Sequence, residues 1–293
     1  MMSFGKVLTA MVTPFDDDGL INYEQLEILI NHLIDNGTDG LVVGGTTGES
    51  ATLSIEEKAA LYQQAVKIAN GRVPIIAGTG MNDTYATAEL TARAERVGVD
   101  GIMLVAPYYN KPSQKGLYEH FHTIAGKTSL PVMVYNVPGR TAVNILPETT
   151  IELAKIENIV SVKEASGNLD QITMIVANTP DDFSVYSGDD SLTLPALAVG
   201  ADGVVSVSSH IIGNQIQQMI THYETGRVQN AAKLHQQLLP IMRGMFIAPS
   251  PSPVKTALNM QGIEVGGVRL PLVPLTSEER QTLNEILTLC DDL

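Results

Sequence analysis

The strongest constraint on the fold is a regular alternation between short apolar segments and amphipathic helical segments along most of the chain. Successive apolar segments begin roughly 20 to 35 residues apart, which is the length of one βα unit. The predicted strands cover residues 6–12, 40–43, 74–77, 101–105, 131–135, 159–162, 183–186 and 203–207. Eight strands that alternate with helices predict the α/β class and a closed (β/α)8 barrel of the TIM type.

Two details favour the barrel over an open, doubly wound sheet. The sequence Gly-x-Asp-Gly precedes three of the predicted strands, at residues 37–40, 98–101 and 200–203. This recurrence indicates that βα units were duplicated within the chain. In addition, no Gly-x-Gly-x-x-Gly motif follows the first strand, although a dinucleotide-binding open sheet would require one there.

Helix signals mark the same units and continue beyond the last strand. Asn22 is a typical N-cap, and Ser54 with Glu57 three residues later predicts a capping box. After the eighth strand only helical patterns remain, at residues 215–223, 228–245, 253–260 and 277–289. We therefore expect the barrel to cover residues 1–224 and a C-terminal helical region to cover residues 225–293.

Composition excludes several classes of protein. The 293 residues are 44% hydrophobic and 17% charged, which supports a large core and argues against disorder. The net charge of −14 disfavours nucleic acid or an anionic membrane as a partner. The one cysteine, Cys290, provides neither a disulfide framework nor a thiolate metal cluster. We find no secretory signal and no membrane-spanning apolar run, and we expect a cytoplasmic protein.

Lys163 is the first candidate for chemistry, because it directly follows the apolar segment 159–162 at the expected end of a strand. Active sites of barrel enzymes lie at the C-terminal ends of their strands. Burial lowers the pKa of a lysine, and a neutral amine is a nucleophile toward ketones. The alternative is that Lys163 is simply the first exposed residue after the strand.

A glycine-rich loop, Gly44-Gly-Thr-Thr-Gly-Glu49, follows the second strand. Its glycines allow close approach of the backbone, and Thr46 and Thr47 offer hydroxyl and N–H donors that suit a carboxylate. The alternative is an ordinary glycine-rich turn. The loop is not a P-loop, because the Gly-Lys-Ser/Thr sequence is absent.

Tyrosines and an arginine follow the fourth and fifth strands. The fourth is followed by Pro107-Tyr-Tyr-Asn110, and the fifth ends at Tyr135, with Arg140 five residues later. Arginine can bind a carboxylate through two parallel hydrogen bonds. A phenol, a guanidinium and the Lys163 amine would therefore meet at one barrel mouth, as Schiff-base chemistry requires.

Other titratable residues form no recognisable metal site. The six histidines lack the zinc-binding His-Glu-x-x-His spacing, and we interpret them as structural. The run from Asp16 to Gly19 lacks the spacing of a calcium loop, and we expect a solvated turn there. Asp189 and Asp190 follow the seventh strand, where we expect them to begin a helix. We therefore predict no metal.

Four motifs carry a resemblance to a known family. They are Gly44-Gly-Thr-Thr-Gly-Glu-Ser50, Pro107-Tyr-Tyr-Asn110, Tyr135-Asn-Val-Pro-Gly-Arg-Thr141 and Val162-Lys-Glu-Ala-Ser-Gly167. Over essentially the whole chain the sequence resembles the 4-hydroxy-tetrahydrodipicolinate synthase (dihydrodipicolinate synthase) family. These enzymes belong with N-acetylneuraminate lyase to the pyruvate-dependent class I aldolases. Arg140 favours the synthases, because the sialate lyases do not usually carry an arginine there.

The resemblance implies a lyase that condenses pyruvate with L-aspartate 4-semialdehyde, the first committed step toward diaminopimelate and lysine. Lys163 would form an imine with pyruvate, and Arg140 would bind the semialdehyde carboxylate. No metal or organic cofactor is implied. Two alternatives stay open: a related aldolase acting on a sugar acid, and a non-catalytic barrel that serves as a binding subunit.

The resemblance also assigns the remaining site residues. Tyr135 would carry protons, and Thr46 would link it to Tyr109, which in this family reaches in from a neighbouring subunit. Thr47 would help to hold the pyruvate carboxylate. Val205 would place its main-chain carbonyl near the lysine. The expected assembly is a homotetramer built as a dimer of dimers.

Many members of this family are inhibited by lysine at a dimer-interface pocket. By position, that pocket would here contain Ser50, Ala51, Ile55, Lys58, Asn82, Ala86 and Tyr108. Sensitive enzymes carry imidazoles at the positions of Ile55 and Lys58 and a carboxylate at that of Ala86. A cationic ligand would meet Lys58 and lose its acidic partner, at a cost of about 1–3 kcal/mol. We therefore predict weak or absent inhibition.

Overall fold

Eight parallel strands close into a barrel in the computed structural model, which describes residues 4–289. The strands neighbour one another in chain order, and the eighth pairs with the first. They are β1 (Val7–Ala10), β2 (Gly40–Val43), β3 (Ile75–Gly78), β4 (Gly101–Val105), β5 (Val132–Asn136), β6 (Ile159–Glu164), β7 (Ser184–Ser187) and β8 (Gly203–Ser206). The predicted (β/α)8 barrel is confirmed.

Residues 4–289 also form twelve α-helices, most of which surround the barrel. They are α1 (Tyr23–Asp35), α2 (Ile55–Ala69), α3 (Thr84–Arg96), α4 (Gln114–Ala125), α5 (Pro138–Thr141), α6 (Pro147–Leu153), α7 (Leu169–Asn178), α8 (Thr193–Ala198), α9 (Ser209–Glu224), α10 (Val228–Gly244), α11 (Ser252–Met260) and α12 (Ser277–Thr288). The last three helices follow the barrel, and α10 packs against α9. None of the helices within this part of the chain is long and apolar enough to cross a membrane.

The predicted helix caps are present. The Asn22 side chain accepts a hydrogen bond from the Gln25 backbone N–H at 3.1 Å and so caps α1. Ser54 and Glu57 form the reciprocal capping box of α2, with bonds of 3.1 and 2.8 Å. These bonds satisfy backbone donors that the first turn of a helix leaves without partners.

The repeated Gly-x-Asp-Gly sequence joins neighbouring strands at the bottom of the barrel. In each copy the aspartate carboxylate accepts a hydrogen bond from the backbone N–H at the start of an adjacent strand. The bonds run from Val7 to Asp39 at 2.9 Å, from Ile75 to Asp100 at 2.8 Å and from Val185 to Asp202 at 2.7 Å. The repeat therefore stabilises the face opposite to the catalytic face of such barrels.

Several predicted boundaries need correction. β6 continues to Glu164, so Lys163 lies within the strand rather than after it. β1 is shorter than predicted and covers only Val7–Ala10. The helix predicted at residues 215–223 begins earlier, at Ser209, and is the helix that follows β8. Cys290 lies outside the described residues.

Candidate active site

A cavity of about 570 Å³ opens at the C-terminal ends of the strands. It brings together five of the predicted site residues, which come from four different segments of the chain. These residues are Thr46, Thr47, Tyr135, Arg140 and Lys163. The ends of the second, fifth and sixth strands therefore bring the phenol, the guanidinium and the amine to one barrel mouth.

Lys163 lies on β6 with its side chain buried beside the cavity, so it is not an exposed residue after the strand. Its Nζ atom lies 4.3 Å from the centroid of the Tyr135 ring. Gly188 makes room for it, because a Cβ atom at that position would lie 3.1 Å from both Cγ and Cε of the lysine. Burial lowers the pKa of Lys163 to about 8; Asp190 opposes this effect, and Arg140 adds to it. A substantial fraction of the amine is therefore neutral near physiological pH.

Asp190 is a charged neighbour of this lysine that the sequence did not assign to the site. Its buried carboxylate accepts hydrogen bonds from the backbone N–H groups of Val207 at 3.1 Å and Ser208 at 2.9 Å. Burial raises the pKa of Asp190. Asp189 caps the short 3-10 helix at residues 190–192, so the helix start expected here is confirmed. In addition, the charge of Asp190 stabilises the protonated amine of Lys163 and so raises its pKa.

Tyr135 lies at the end of β5 and keeps its proton at neutral pH. Burial raises the pKa of its phenol to about 12, while Arg140 and Thr46 oppose the rise. A neutral phenol that lines the same cavity as the Thr46 hydroxyl can exchange a proton with it once the two groups are in contact. The pair therefore has the chemistry of a short proton relay next to the amine.

The loop that carries the two threonines depends on glycine. Gly44 has a φ of +66°, and a Cβ atom there would lie 2.9 Å from the ring of Tyr62. The backbone turns tightly, with the Glu49 N–H donating to the Thr46 carbonyl at 3.1 Å. As a result Thr46 faces the cavity as an exposed residue, while Thr47 is buried at its wall.

Two predicted site residues do not line this cavity. Tyr109 lies in the loop after β4, is 88% exposed, and has a φ of +76°. Val205 is buried inside the barrel on β8. Arg140 does line the cavity, from the short helix α5. The single chain therefore holds the amine, the phenol and the guanidinium together but leaves Tyr109 outside.

The C-terminal helical region forms a wall of the cavity, which the sequence did not reveal. Met242 and Arg243 come from α10, and Phe246 and Ile247 follow it. Their spacing is that of an ordinary amphipathic helix packed against a core, so the sequence pattern does not distinguish them as residues of a site. The contribution of α10 becomes visible only when the chain is folded.

His210 and Asp16 have hydrogen bonds to the backbone that are typical of structural groups. Nε2 of the buried His210 accepts the Val12 backbone N–H at 3.2 Å, and its Nδ1 lies 2.7 Å from the Val207 carbonyl. Asp16 accepts backbone N–H groups of its own turn, including that of Leu20 at 2.8 Å. Among residues 4–289, no three acidic or histidine side chains are arranged to hold a metal ion.

Comparison with known proteins gives one consistent result. The model of the "Dihydrodipicolinate synthetase family" matches residues 3–289. A 4-hydroxy-tetrahydrodipicolinate synthase of Bacillus subtilis is 61% identical over 288 residues, which are 98% of this chain and 99% of that protein. The crystal structure of a dihydrodipicolinate synthase from Bacillus anthracis is 58% identical, covers 98% of this chain and 99% of its own, and superposes with a TM-score of 0.97. The lysine-bound synthase of Cyanidioschyzon merolae is 44% identical, with 99% of each chain covered and a TM-score of 0.97.

Proposed function

The chain belongs to the dihydrodipicolinate synthetase family, and we propose that the Lys163 amine is the nucleophile of its reaction. The enzyme is a lyase of the pathway to diaminopimelate and lysine; it forms 4-hydroxy-tetrahydrodipicolinate from pyruvate and L-aspartate 4-semialdehyde. The observation that carries the proposed role is the buried amine 4.3 Å from the centroid of the Tyr135 ring, in the cavity that Arg140 also lines.

The reaction starts when Nζ of Lys163 attacks the carbonyl carbon of pyruvate. Water leaves and an imine forms; loss of a proton from the methyl carbon gives an enamine. This carbon then bonds to the aldehyde carbon of the semialdehyde, whose oxygen takes up a proton to become a hydroxyl. Finally the substrate amine attacks the imine carbon, closes the ring and releases Nζ.

The surrounding groups move protons and hold carboxylates. Tyr135 carries protons to and from the substrate: its phenol passes its own proton on as it takes up another, with the Thr46 hydroxyl as its neighbour in the cavity lining. Thr47 holds the pyruvate carboxylate through donors of the glycine-rich loop, and Arg140 binds the carboxylate of the semialdehyde. We also propose that Val205 contributes its main-chain carbonyl near the lysine. We expect no organic cofactor, because the imine itself accepts the electron pair.

The assay that tests this function supplies the purified enzyme with pyruvate and either L-aspartate 4-semialdehyde or a sugar-derived aldehyde. We expect both pyruvate and the semialdehyde to be consumed in equal amounts, and the sugar aldehyde to be a poor substrate. Preference for the sugar aldehyde would instead support a sugar-acid aldolase. Failure to act on any aldehyde would leave a binding subunit.

The rate of imine formation should follow the ionisation of Lys163. Because only the neutral amine attacks pyruvate, the rate should rise about tenfold per pH unit below pH 8 and level off above it. The phenol of Tyr135, with a pKa of about 12, does not titrate in this window. Rapid mixing followed by borohydride trapping and intact-mass measurement gives the rate. A rise that continues to the ordinary lysine value of 10.5 would contradict the prediction.

We also propose that the enzyme acts in the cytoplasm as a homotetramer, a dimer of dimers in which Tyr109 enters the partner's site. The proposal is supported by the position of Tyr109, which is 88% exposed on a loop with positive φ at Tyr109 and Lys111. The same loop contributes Tyr108 to a second cavity of about 340 Å³, together with Pro271 and Leu272.

We further propose that the chain divides into a barrel, residues 1–224, and a C-terminal helical region, residues 225–293.

Mixing two inactive variants tests the crossing of Tyr109. Lys163→Ala removes the nucleophile of one subunit, and Tyr109→Phe removes the phenol that the other subunit offers. When the variants are unfolded, mixed and refolded together, some sites combine an intact Lys163 with an intact Tyr109 from the partner. We expect activity to rise well above that of either variant refolded alone. No gain would show that Tyr109 acts, if at all, within its own chain.

Lysine should inhibit this enzyme weakly or not at all. Lys58 on α2 is a buried amine at a position where sensitive enzymes carry an imidazole, and Ala86 on α3 offers no carboxylate to the ligand. Ser50, Ala51 and Tyr108 line the second cavity, so part of the predicted pocket is present as a space. We expect the inhibition constant for lysine to lie about tenfold or more above that of a sensitive enzyme. Equal sensitivity would contradict the prediction, and Lys58→His with Ala86→Glu should increase sensitivity.

A further inference from the structure

A second buried lysine, Lys255 on α11, lies outside the catalytic cavity and is unused by the mechanism above. Its Nζ atom donates to Oε1 of Glu49 at 2.8 Å and to the Gly267 carbonyl at 2.5 Å. It also lies 4.1 Å from the centroid of the Phe15 ring. The side chains of Lys255 and Glu49 are 2% and 1% exposed, so this ion pair is sealed from water.

Glu49 connects this lysine to the catalytic loop. It lies three residues after Thr46 and two after Thr47, in a left-handed backbone conformation with a φ of +58°. Residues other than glycine adopt this conformation at a cost, so something must hold it. Both carboxylate oxygens of Glu49 are bound by the C-terminal region, one by Lys255 and the other by the Arg269 backbone N–H at 2.9 Å.

Further contacts around the pair join the C-terminal helical region to the N-terminal part of the barrel. The Cζ atom of Arg269 lies 4.4 Å from the Phe15 ring centroid, and the guanidinium bonds Glu57 on α2. The same guanidinium also donates to the Thr52 carbonyl at 2.8 Å. The segment from Glu49 to Thr52 is therefore tied to residues more than 200 positions away at both of its ends.

We propose that Lys255 is a positioning residue: through Glu49 it fixes the loop that places Thr46 and Thr47 at the pyruvate site. The inference rests on the proposed role of Thr47 in holding the pyruvate carboxylate. Burying an amine has a cost, and burial lowers the pKa of Lys255 to about 8 although Glu49 opposes the shift. A well-packed apolar side chain could fill this space without that cost. We therefore explain the charged amine of Lys255 by its bond to Glu49, which holds the loop in place. The C-terminal helical region is then part of the pyruvate site.

Lys255→Met removes the charge and keeps most of the volume of the side chain. We expect kcat/KM for pyruvate to fall about tenfold or more, because small displacements of positioning groups have effects of this size. The KM for the semialdehyde should stay unchanged, since Arg140 is held by α5. The matched control is Ser252→Ala on the same helix; it deletes the hydrogen bond of 2.9 Å from the buried Ser252 hydroxyl to the Val273 carbonyl without touching the loop. This control should keep normal values for both substrates.

A double-mutant comparison separates positioning from general stability. If Lys255 acts through the threonine loop, Lys255→Met should have little further effect on pyruvate once Thr47→Ala has removed the bound hydroxyl. Simple multiplication of the two effects, or a folded Lys255→Met enzyme with normal pyruvate kinetics, would overturn the proposal. So would parallel losses for both substrates.

Two additional measurements keep the test decisive. If Lys255→Met does not fold, Glu49→Gln provides the same comparison, because glutamine keeps one acceptor oxygen while the charge is lost. Hydrogen exchange of the peptide spanning residues 44–52 should accelerate in either variant and stay normal in Ser252→Ala; unchanged exchange would contradict the proposed clamp. Failure of the wild-type enzyme to form any adduct with pyruvate would instead remove the proposed function.

Discussion

Lys163→Ala is expected to abolish the covalent adduct with pyruvate and to lower kcat by about four orders of magnitude or more. The expected loss is this large because the substitution removes the atom that we propose bonds to the substrate, and neither Tyr135 nor Arg140 can replace it. The measurement is intact-mass spectrometry after incubation with pyruvate and borohydride, which reduces the imine to a stable secondary amine. The wild type should gain one adduct per chain, and the variant none.

Other buried lysines give this experiment a stringent control. Lys58 and Lys255 are also buried, and burial lowers the pKa of both amines. Neither lines the main cavity, so a lowered pKa alone should not make them react. Lys58→Met should therefore keep the full adduct. An adduct that persists in Lys163→Ala would show that another lysine is the nucleophile. The absence of any adduct in the wild type would rule out the imine mechanism.

The barrel could be predicted from the sequence because each βα unit is marked locally. The apolar segments, the caps at Asn22 and Ser54, and the Gly-x-Asp-Gly repeat all act over a few residues. The predicted end of β6, at residue 162, was wrong for a physical reason. Two charged residues, Lys163 and Glu164, end the apolar pattern, yet both belong to the strand, and the buried Glu164 carboxylate accepts hydrogen bonds from Asn136 and Gln171, both at 2.9 Å. An apolar pattern cannot show that a charge has such partners.

The site, too, was predictable from the sequence only in part. Lys163, Tyr135 and Arg140 were predictable, because residues at strand ends of such a barrel converge on one mouth. The contribution of α10 and the ion pair between Glu49 and Lys255 were not, since they depend on how distant segments pack. Glu49 and Lys255 are 206 positions apart and belong to no common motif. The groups that we propose to react are thus visible in this sequence, whereas the groups that we propose to hold them are visible only in the fold.

Arg140→Ala is expected to separate the two halves of the reaction. The variant should still form the imine with pyruvate, because the amine and the threonine loop are unchanged. Its kcat/KM for the semialdehyde should fall by about 30- to 1000-fold. This range corresponds to about 2–4 kcal/mol, the typical effect of removing an arginine that pairs with a substrate carboxylate. The measurements are adduct trapping with pyruvate alone and steady-state kinetics with the second substrate varied.

The electrostatics of the site decide the pH at which this comparison must be made. Arg140 lowers the pKa of Lys163, so its removal should raise that pKa and leave less neutral amine at neutral pH. Imine formation should therefore be compared above pH 8, where the wild-type amine is largely neutral. Arg140→Lys is the matched control, because it keeps the positive charge but cannot form two parallel bonds to a carboxylate. It should restore the pKa of Lys163 but only part of the semialdehyde activity. If Arg140→Ala used the semialdehyde normally, the carboxylate would bind elsewhere, and the choice of the synthase over a sugar-acid aldolase would lose its support from this residue.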